Sequence, residues 1–274
     1  MSETSMDIQL ICSDIDGTLL DSKGMLSEEN ILWIRKAWYE RHVAFALVSG
    51  RFKGGIQPLA KALGIPCFLS CFNGTYISYG TKVLNDTPLS SETILGLLPL
   101  VKDKGNTPLV FTLNDWYMES NGYWAEVQRK KCGFNGYFQD LPVLLRQKSP
   151  AIRPYKAIIK NLDPRRIDAT WQKLQSMHLE DIDCFPSSPQ ILELVPKGTD
   201  KGNTVSILAR YLGIGCKNIM AFGDYVNDLG MLRKAAYGIA MANAPEEIKK
   251  TAFAVTASND EAGIAKAIKK YIFQ

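Results

Sequence analysis

Short apolar segments alternate with segments of helical periodicity in the first third and again in the last quarter of the chain. Ile8 to Ser13 is predicted as a strand, Ser27 to Arg41 as a helix capped by Ser27, and Ala44 to Ser49 as a second strand. Strands that alternate with helices form βαβ units, whose strands pair in parallel. We therefore predict an α/β fold with a Rossmann-like parallel sheet.

The 274 residues exceed the usual single core of about 100 to 200 residues, so a second domain or a large insertion is expected. The pattern of predicted elements changes between Asp86 and Leu192, where short strands and longer helical segments no longer alternate regularly. We predict a core formed by residues 1–85 and 193–274, with an α+β domain inserted at residues 86–192.

The composition is that of an ordinary soluble protein, with 46% apolar and 22% charged residues. No apolar run approaches the ~20 residues of a membrane helix, and the polar stretch Met1 to Asp7 lacks the order of a secretory signal. We expect a cytoplasmic protein without a membrane partner. The net charge of +4 is dispersed, and the basic run Arg129 to Lys131 is short, so no nucleic-acid partner is expected. The oligomeric state stays open.

Six cysteines are scattered without paired spacing, which favours buried free thiols over disulfides. Only Cys67 and Cys71 are close in sequence, and the chain has two histidines, so a structural zinc site is not expected.

Two carboxylates, Asp14 and Asp16, follow the first predicted strand. On an extended backbone, residues two apart point the same way, so both carboxylates face one side while Ile15 turns back into the core. Gly17 then lets the chain turn away. Two charges at a strand tip are costly unless a cation neutralises them, which favours a metal-assisted site. The alternative is a simple Asp-Gly turn after a strand.

Further polar groups follow other predicted strands, and in a parallel sheet such strand ends meet at one edge. Ser49 and Gly50 end the second strand, where a hydroxyl and the first amides of a helix can hold a phosphate oxygen. Asp224 and Asp228 follow a later strand, and Lys201 precedes a helix predicted to start near Thr204. Taken singly, Ser49-Gly50 is explained as a turn, Asp228 as a helix cap and Lys201 as a solvated lysine, although a cap needs one acid and not two.

Together these segments resemble the haloacid dehalogenase superfamily of phosphohydrolases, and within it the Cof-type branch, which has a large α/β cap between core motifs. The resemblance covers nearly the whole chain and rests on segments in a fixed order: Asp14 to Leu20, Ser49 to Arg51, Asn73-Gly74, Leu192 to Pro196 with Lys201-Gly202, Gly223-Asp224 with Asn227-Asp228, Ala240 to Ala244, and Ser258 to Glu261.

The resemblance implies a role for each matching residue. Asp14 is the expected nucleophile, which forms an aspartyl-phosphate, and Asp16 the general acid and base. The expected phosphate-binding residues are Ser49, Gly50, Lys201 and Asn227. The expected Mg²⁺ ligands are Asp14, the backbone carbonyl of Asp16, Asp224 and Asp228, the last as ligand or support. Four carboxylates and one lysine leave an excess of about three negative charges, which would repel a phosphate dianion without a divalent metal.

The function implied is that of a Mg²⁺-dependent phosphatase acting on small phosphorylated metabolites such as sugar phosphates or phosphorylated cofactors. Two alternatives stay open: a sugar phosphotransferase or phosphomutase of the same superfamily, and a catalytically silent sensor of a phosphorylated ligand. Within the insertion, some residues are candidates for the lining of a substrate entrance and are equally explained as cap core or surface: Trp116, Tyr117, Arg153 and Ser187-Ser188.

Overall fold

The computed structural model describes residues 7–147 and 149–274, and these residues form a mixed α/β fold with fourteen strands and ten α-helices. The strands are β1 (Leu10–Ser13), β2 (Ala44–Val48), β3 (Cys67–Cys71), β4 (Tyr76–Tyr79), β5 (Lys82–Asp86), β6 (Thr107–Phe111), β7 (Trp116–Met118), β8 (Tyr137–Phe138), β9 (Lys156–Lys160), β10 (Ile182–Ser188), β11 (Ile191–Pro196), β12 (Ile219–Gly223), β13 (Tyr237–Ala240) and β14 (Ala254–Val255).

The helices are α1 (Glu28–Arg41), α2 (Lys53–Leu63), α3 (Ser91–Asp103), α4 (Tyr123–Cys132), α5 (Leu141–Leu145), α6 (Pro164–Ser176), α7 (Lys201–Leu212), α8 (Leu229–Lys234), α9 (Glu246–Lys249) and α10 (Gly263–Ile268). None of them, within the residues described, combines the length and apolar character needed to cross a bilayer.

The chain divides into two compact units by its internal contacts. The first unit contains the residues up to Arg51, Ile56–Asp86 and Asp200–Gln274. The second contains Phe52–Gly55 and Thr87–Thr199, and so extends beyond the expected boundary at residue 192. It extends further because β11 pairs along its whole length with β10, and at residues 191–194 with β9, both of the same unit.

The sheet of the first unit has the strand order β14-β13-β12-β1-β2-β3-β4-β5. The six strands from β14 to β3 pair in parallel, which confirms the predicted fold class. The last two strands, β4 and β5, pair antiparallel and were not predicted. Gly80 and Thr81 alone connect them, and a connection this short permits only an antiparallel pair.

β1 lies in the middle of this sheet, and each of its four residues is buried. Continuous burial is typical of a parallel strand covered on both faces. On one face, Leu10 and Cys12 pack in a cluster that includes Leu208 of α7. The register pairs Ser13 with Leu47 of β2 and with Phe222 of β12, so the three strands end at the same level.

Two helix starts determine where polar residues lie. α1 begins after Ser27, whose hydroxyl accepts a hydrogen bond from the Asn30 N–H, as the sequence predicts. α7 begins at Lys201 rather than near Thr204, because Asp200 caps it by accepting from the Gly202 N–H. Lys201 therefore lies in the first turn of a helix and not in the loop before it.

The second unit has a six-stranded sheet of order β10-β11-β9-β6-β7-β8, which is antiparallel except between β7 and β8. One face is covered by an apolar cluster to which α3 and α6 contribute Leu98 and Leu174. Trp116 and Tyr117 are buried in this unit, at 0% and 7% exposure. Their burial supports the core role and argues against the surface role.

All six cysteines carry free thiols, as predicted. Their predicted burial is correct for Cys12, Cys67 and Cys71 but wrong for Cys216, which is exposed. Cys216 lies in the turn that leads into β12, outside the apolar strand that follows.

Candidate active site

The carboxylate of Asp14 lies at the carboxyl end of the central strand β1. Its backbone N–H donates to the Phe222 carbonyl at 3.0 Å, which fixes the end of β1 beside β12. The side chain is almost completely buried, and its Oδ1 lies 2.6 Å from the Lys201 ammonium nitrogen. A buried carboxylate at a strand end is thus paired with a cation from the first turn of α7.

Lys201 joins two acidic residues, because its Nζ lies 2.6 Å from Asp228 Oδ1 as well as from Asp14. Asp228 is fully buried, and its Oδ2 accepts from the backbone N–H groups of Asp224 and Tyr225 at 2.9 and 3.1 Å. Three donors therefore surround the Asp228 carboxylate, so it holds both the lysine and the turn that carries Asp224.

Asp224 approaches the turn that follows Asp16. The Thr18 hydroxyl donates to Asp224 Oδ1 at 2.8 Å. Gly17 has φ of +78°, and a Cβ at this position would lie 2.4 Å from Asp224 Oδ2. Only glycine fits there, because a side chain would be strained by the positive φ and would collide with the carboxylate.

Oxygen atoms of Asp14, Asp224 and Asp228 lie within 4.8 Å of one another. Carboxylate oxygens are the ligands that Mg²⁺ prefers, and a single ion can contact several oxygens at this spacing. The donor set therefore fits a divalent cation. The side chain of Asp16 does not belong to this cluster, which leaves only its backbone carbonyl as the contribution expected from the sequence.

The buried location changes the proton affinities of these groups. Burial raises the pKa of Asp14 above the usual range, although Lys201 opposes the shift, and burial likewise raises the pKa of Asp224. For Lys201, burial alone would lower the pKa, but the charges of Asp14 and Asp228 outweigh it and raise the pKa. The lysine therefore stays charged, and a metal cation would favour the ionised form of both carboxylates.

Asp16 points away from the buried cluster, with 62% of its side chain exposed. Arg51 binds it in a bidentate ion pair, with Nε 2.9 Å from Oδ2 and Nη2 2.5 Å from Oδ1. Ile15, between the two acids, is fully buried, as predicted. The two acids therefore differ in environment, because one is buried beside a lysine and the other is exposed beside an arginine.

Ser49 and Gly50 follow β2 at the same edge of the sheet. Ser49 is 2% exposed, and its Oγ accepts from the Arg51 N–H at 3.1 Å. The Ser49 N–H donates to the Ser70 carbonyl at 2.9 Å, which continues the pairing with β3 one residue beyond the end of β2. Asn227 lies in the short turn before α8 and is exposed, outside the buried cluster.

Residues near the carboxyl terminus hold the segment after Asp16 in place. Asn243 Nδ2 donates to the Gly17 carbonyl at 2.8 Å, and Asn259 Nδ2 donates to the Leu20 carbonyl at 2.9 Å. The Ser22 N–H donates to Asp260 Oδ1 at 2.7 Å. Late segments of the chain thus support the turn that leaves the acidic pair.

Sequence reasoning gave no separate role to Thr18, Arg51 or Asn243. Arg51 alters the expected charge of the site, since four carboxylates now face two cations and the excess is two negative charges instead of three. The available signal for Arg51 was its position directly after Ser49-Gly50 at a strand end. One divalent cation would neutralise this excess.

The sequence and the fold of this chain were each compared with those of known proteins, and both comparisons find haloacid dehalogenase-like proteins. The sequence pattern of a family described as haloacid dehalogenase-like hydrolase matches residues 11–268. Two Bacillus subtilis proteins named 5-amino-6-(5-phospho-D-ribitylamino)uracil phosphatase, YcsE and YwtE, are 28% and 27% identical and align over 97% of this chain and 97% and 98% of their own. The crystal structure of a haloacid dehalogenase-like hydrolase from Bacteroides thetaiotaomicron has a TM-score of 0.88 and 28% identity, and covers 96% of this chain and 99% of its own.

Proposed function

Because the chain belongs to the haloacid dehalogenase-like hydrolase family, we propose that it is a Mg²⁺-dependent phosphatase that forms an aspartyl-phosphate on Asp14. The observation that carries this proposal is the buried contact of 2.6 Å between Asp14 and Lys201, beside Asp224 and Asp228. A carboxylate acts as a nucleophile when a fixed partner orients it and water is excluded.

In the first step, a carboxylate oxygen of Asp14 attacks phosphorus, an O–P bond forms, and the ester P–O bond breaks. The departing alcohol oxygen takes a proton from Asp16. In the second step, Asp16 removes a proton from water, which attacks phosphorus, releases inorganic phosphate and regenerates Asp14. The exposure of Asp16 supports this role, because a general acid must reach a leaving group that extends away from the buried nucleophile.

Lys201 and Ser49 are the proposed partners of the phosphoryl oxygens, together with the Gly50 amide and the Asn227 side chain. Asp14, the Asp16 carbonyl and Asp224 would hold Mg²⁺, with Asp228 as ligand or support. Bound Mg²⁺ supplies the positive charge that allows a phosphate dianion to approach this acidic site. The excess of two negative charges supports the requirement for it.

The proposed substrates are small phosphorylated metabolites, namely sugar phosphates or phosphorylated cofactors. The names of the two Bacillus subtilis relatives support a substrate that carries a phosphorylated polyol chain. A panel of phosphate esters from these classes distinguishes among the proposed substrates.

The test is release of inorganic phosphate by the purified protein, first from p-nitrophenyl phosphate and then from the panel, with Mg²⁺ and with chelator. We expect turnover that depends on Mg²⁺ and is absent in Asp14→Asn. No turnover of any ester with Mg²⁺ would support the silent-sensor alternative. Conversion of a sugar bisphosphate to an isomer without free phosphate would support the phosphomutase alternative.

A further inference from the structure

Three consecutive residues after β3 have a left-handed backbone. Phe72, Asn73 and Gly74 have φ of 49°, 59° and 102°. Glycine adopts such values freely and asparagine tolerates them, but an aromatic residue does so rarely. Phe72 is also only 1% exposed, so the surrounding protein and not the solvent determines its backbone conformation. A backbone of this kind costs about 1 to 3 kcal/mol per strained residue and persists only where surrounding contacts hold it.

The contacts of this turn lie on either side of Gly50. The Asn73 N–H donates to the Ser49 carbonyl at 2.9 Å, and the Phe72 N–H donates to the Arg51 carbonyl at 3.0 Å. In a planar trans peptide, the carbonyl and the following N–H point in opposite directions. Because the Ser49 carbonyl points toward β3, the Gly50 N–H points toward the other neighbour of β2, which is β1 with Asp14 at its end.

The side chain of Asn73 lies over Gly50, the residue between these two hydrogen bonds. A Cβ built on Gly50 would lie 3.3 Å from Asn73 Oδ1, so the carboxamide lies directly over Gly50. Within residues 7–147 and 149–274, this Oδ1 is buried and has no hydrogen-bond partner. A buried acceptor without a donor costs about 1 to 3 kcal/mol.

Stability alone does not account for a strained turn with an unpartnered buried oxygen beside a strand end. We propose that Asn73 is a positioning residue for the phosphoryl group, and that it acts through Gly50 by holding the Ser49-Gly50 backbone with its amide directed at the phosphoryl site. This inference rests on the proposed function, because that function gives the Gly50 amide its ligand.

A positioning role for Asn73 should affect the binding of phosphate and not the binding of Mg²⁺. Within the described part of the chain, the hydrogen bond to Ser49 and the position over Gly50 place Asn73 beside residues that would bind the anion, and neither involves Asp14, Asp224 or Asp228. Loss of its carboxamide should therefore weaken the binding of phosphate and leave the binding of Mg²⁺ unchanged. General damage to the fold would weaken both.

The variant Asn73→Gly tests this claim, because glycine keeps the left-handed backbone and removes the carboxamide that lies over Gly50, with its unpartnered oxygen. His42→Gly is a matched control, since His42 has φ of 54° at the end of α1 and takes no part in the site. Isothermal titration of the full-length proteins with Mg²⁺, and with inorganic phosphate in the presence of Mg²⁺, gives the two affinities.

We expect the dissociation constant for phosphate to rise about tenfold or more in Asn73→Gly, because small displacements of a positioned group have large effects. The Mg²⁺ affinity should remain that of the wild type, the melting temperature should not fall, and His42→Gly should leave both affinities unchanged. Unchanged phosphate affinity in Asn73→Gly, or equal loss of phosphate and Mg²⁺ affinity, would overturn the proposal. A wild type that binds phosphate but hydrolyses no ester would contradict the proposed function and leave this comparison intact.

Discussion

Arg51 holds the carboxylate of Asp16 through two parallel contacts, from Nε to Oδ2 and from Nη2 to Oδ1. The two side chains are 35% and 62% exposed, and ion pairs in contact with water contribute at most about 1 kcal/mol to stability. The pair therefore matters less for folding than for the direction in which Asp16 points. A bidentate guanidinium fixes the plane of a carboxylate, which a lysine does not.

The first prediction concerns Arg51→Met. We expect a melting temperature close to that of the wild type, and a fall of about tenfold in kcat for alkyl phosphates, because Asp16 is no longer oriented as the acid. Aryl phosphates, whose leaving groups need a proton less, should be affected less. Arg51→Lys keeps the positive charge but cannot make the bidentate contact, so its kcat for alkyl phosphates should lie between those of the wild type and Arg51→Met. Equal losses for aryl and alkyl esters would show that Arg51 does not act through Asp16.

The second prediction concerns Asp14→Asn, a nearly isosteric change that removes the proposed nucleophile. We expect less than about one hundredth of the wild-type rate with the circular dichroism spectrum retained. Lys201 still has Asp228 as a partner in this variant, so the buried lysine is not left without a counter-charge. Activity above that level in a folded variant would reject Asp14 as the nucleophile.

The third prediction concerns Asp16→Asn, in which both proton transfers are lost. With p-nitrophenyl phosphate, whose leaving group needs little protonation, the first step should survive better than hydrolysis of the intermediate. Rapid mixing should give a burst of nitrophenol approaching one equivalent, and mass spectrometry should find ~80 Da of phosphoryl on the peptide that contains Asp14. Loss of both ester classes without a burst, while Mg²⁺ still binds, would mean that Asp16 is not the acid and base.

The fourth prediction concerns the thermal stability of the protein as a function of pH and Mg²⁺. Burial raises the pKa values of Asp14 and Asp224, so these two groups bind more protons in the folded metal-free protein than in the unfolded chain above about pH 4. Their contribution to stability should therefore fall as pH rises from there toward neutral. Mg²⁺ competes with these protons, so the gain in melting temperature on adding Mg²⁺ should be larger at about pH 8 than at about pH 5.5.

Two comparisons check this fourth prediction. Asp224→Asn removes one proposed ligand and should reduce the Mg²⁺-dependent gain at both pH values. Sodium chloride at the same ionic strength should not reproduce the gain, because it only screens exposed charges. A gain that is independent of pH would contradict the assignment of the buried carboxylates as the metal ligands.

The sequence predicts the parallel part of the core because apolar strands followed by polar residues leave a clear local signal. Asp14, Ser49 and Asp224 each follow such a strand, and the rule that parallel strands end at one edge brings them together. The short strands β7 and β8, of three and two residues, leave no periodic pattern and were not predicted.

Other features depend on tertiary structure. The ion pair of Arg51 with Asp16 depends on the direction of a long side chain, and the contact of Lys201 with Asp228 depends on where α7 begins. The left-handed backbone at Phe72 could not be predicted either, because it opposes the intrinsic preference of the residue.

The hydrogen bond between Thr18 and Asp224 joins residues that are 206 positions apart, and β1 pairs with β12, which begins at Ile219. During synthesis, β1 therefore has one unpaired edge until most of the chain has left the ribosome, and Asp14 has no lysine partner until Lys201 follows. An open edge on an apolar strand invites pairing with other chains, so the unfinished polypeptide is the form most exposed to aggregation. The segment from Lys201 onward therefore pairs the second edge of β1 and also brings Lys201, Asp224 and Asp228 to Asp14, so the proposed site can assemble only after this segment has been made.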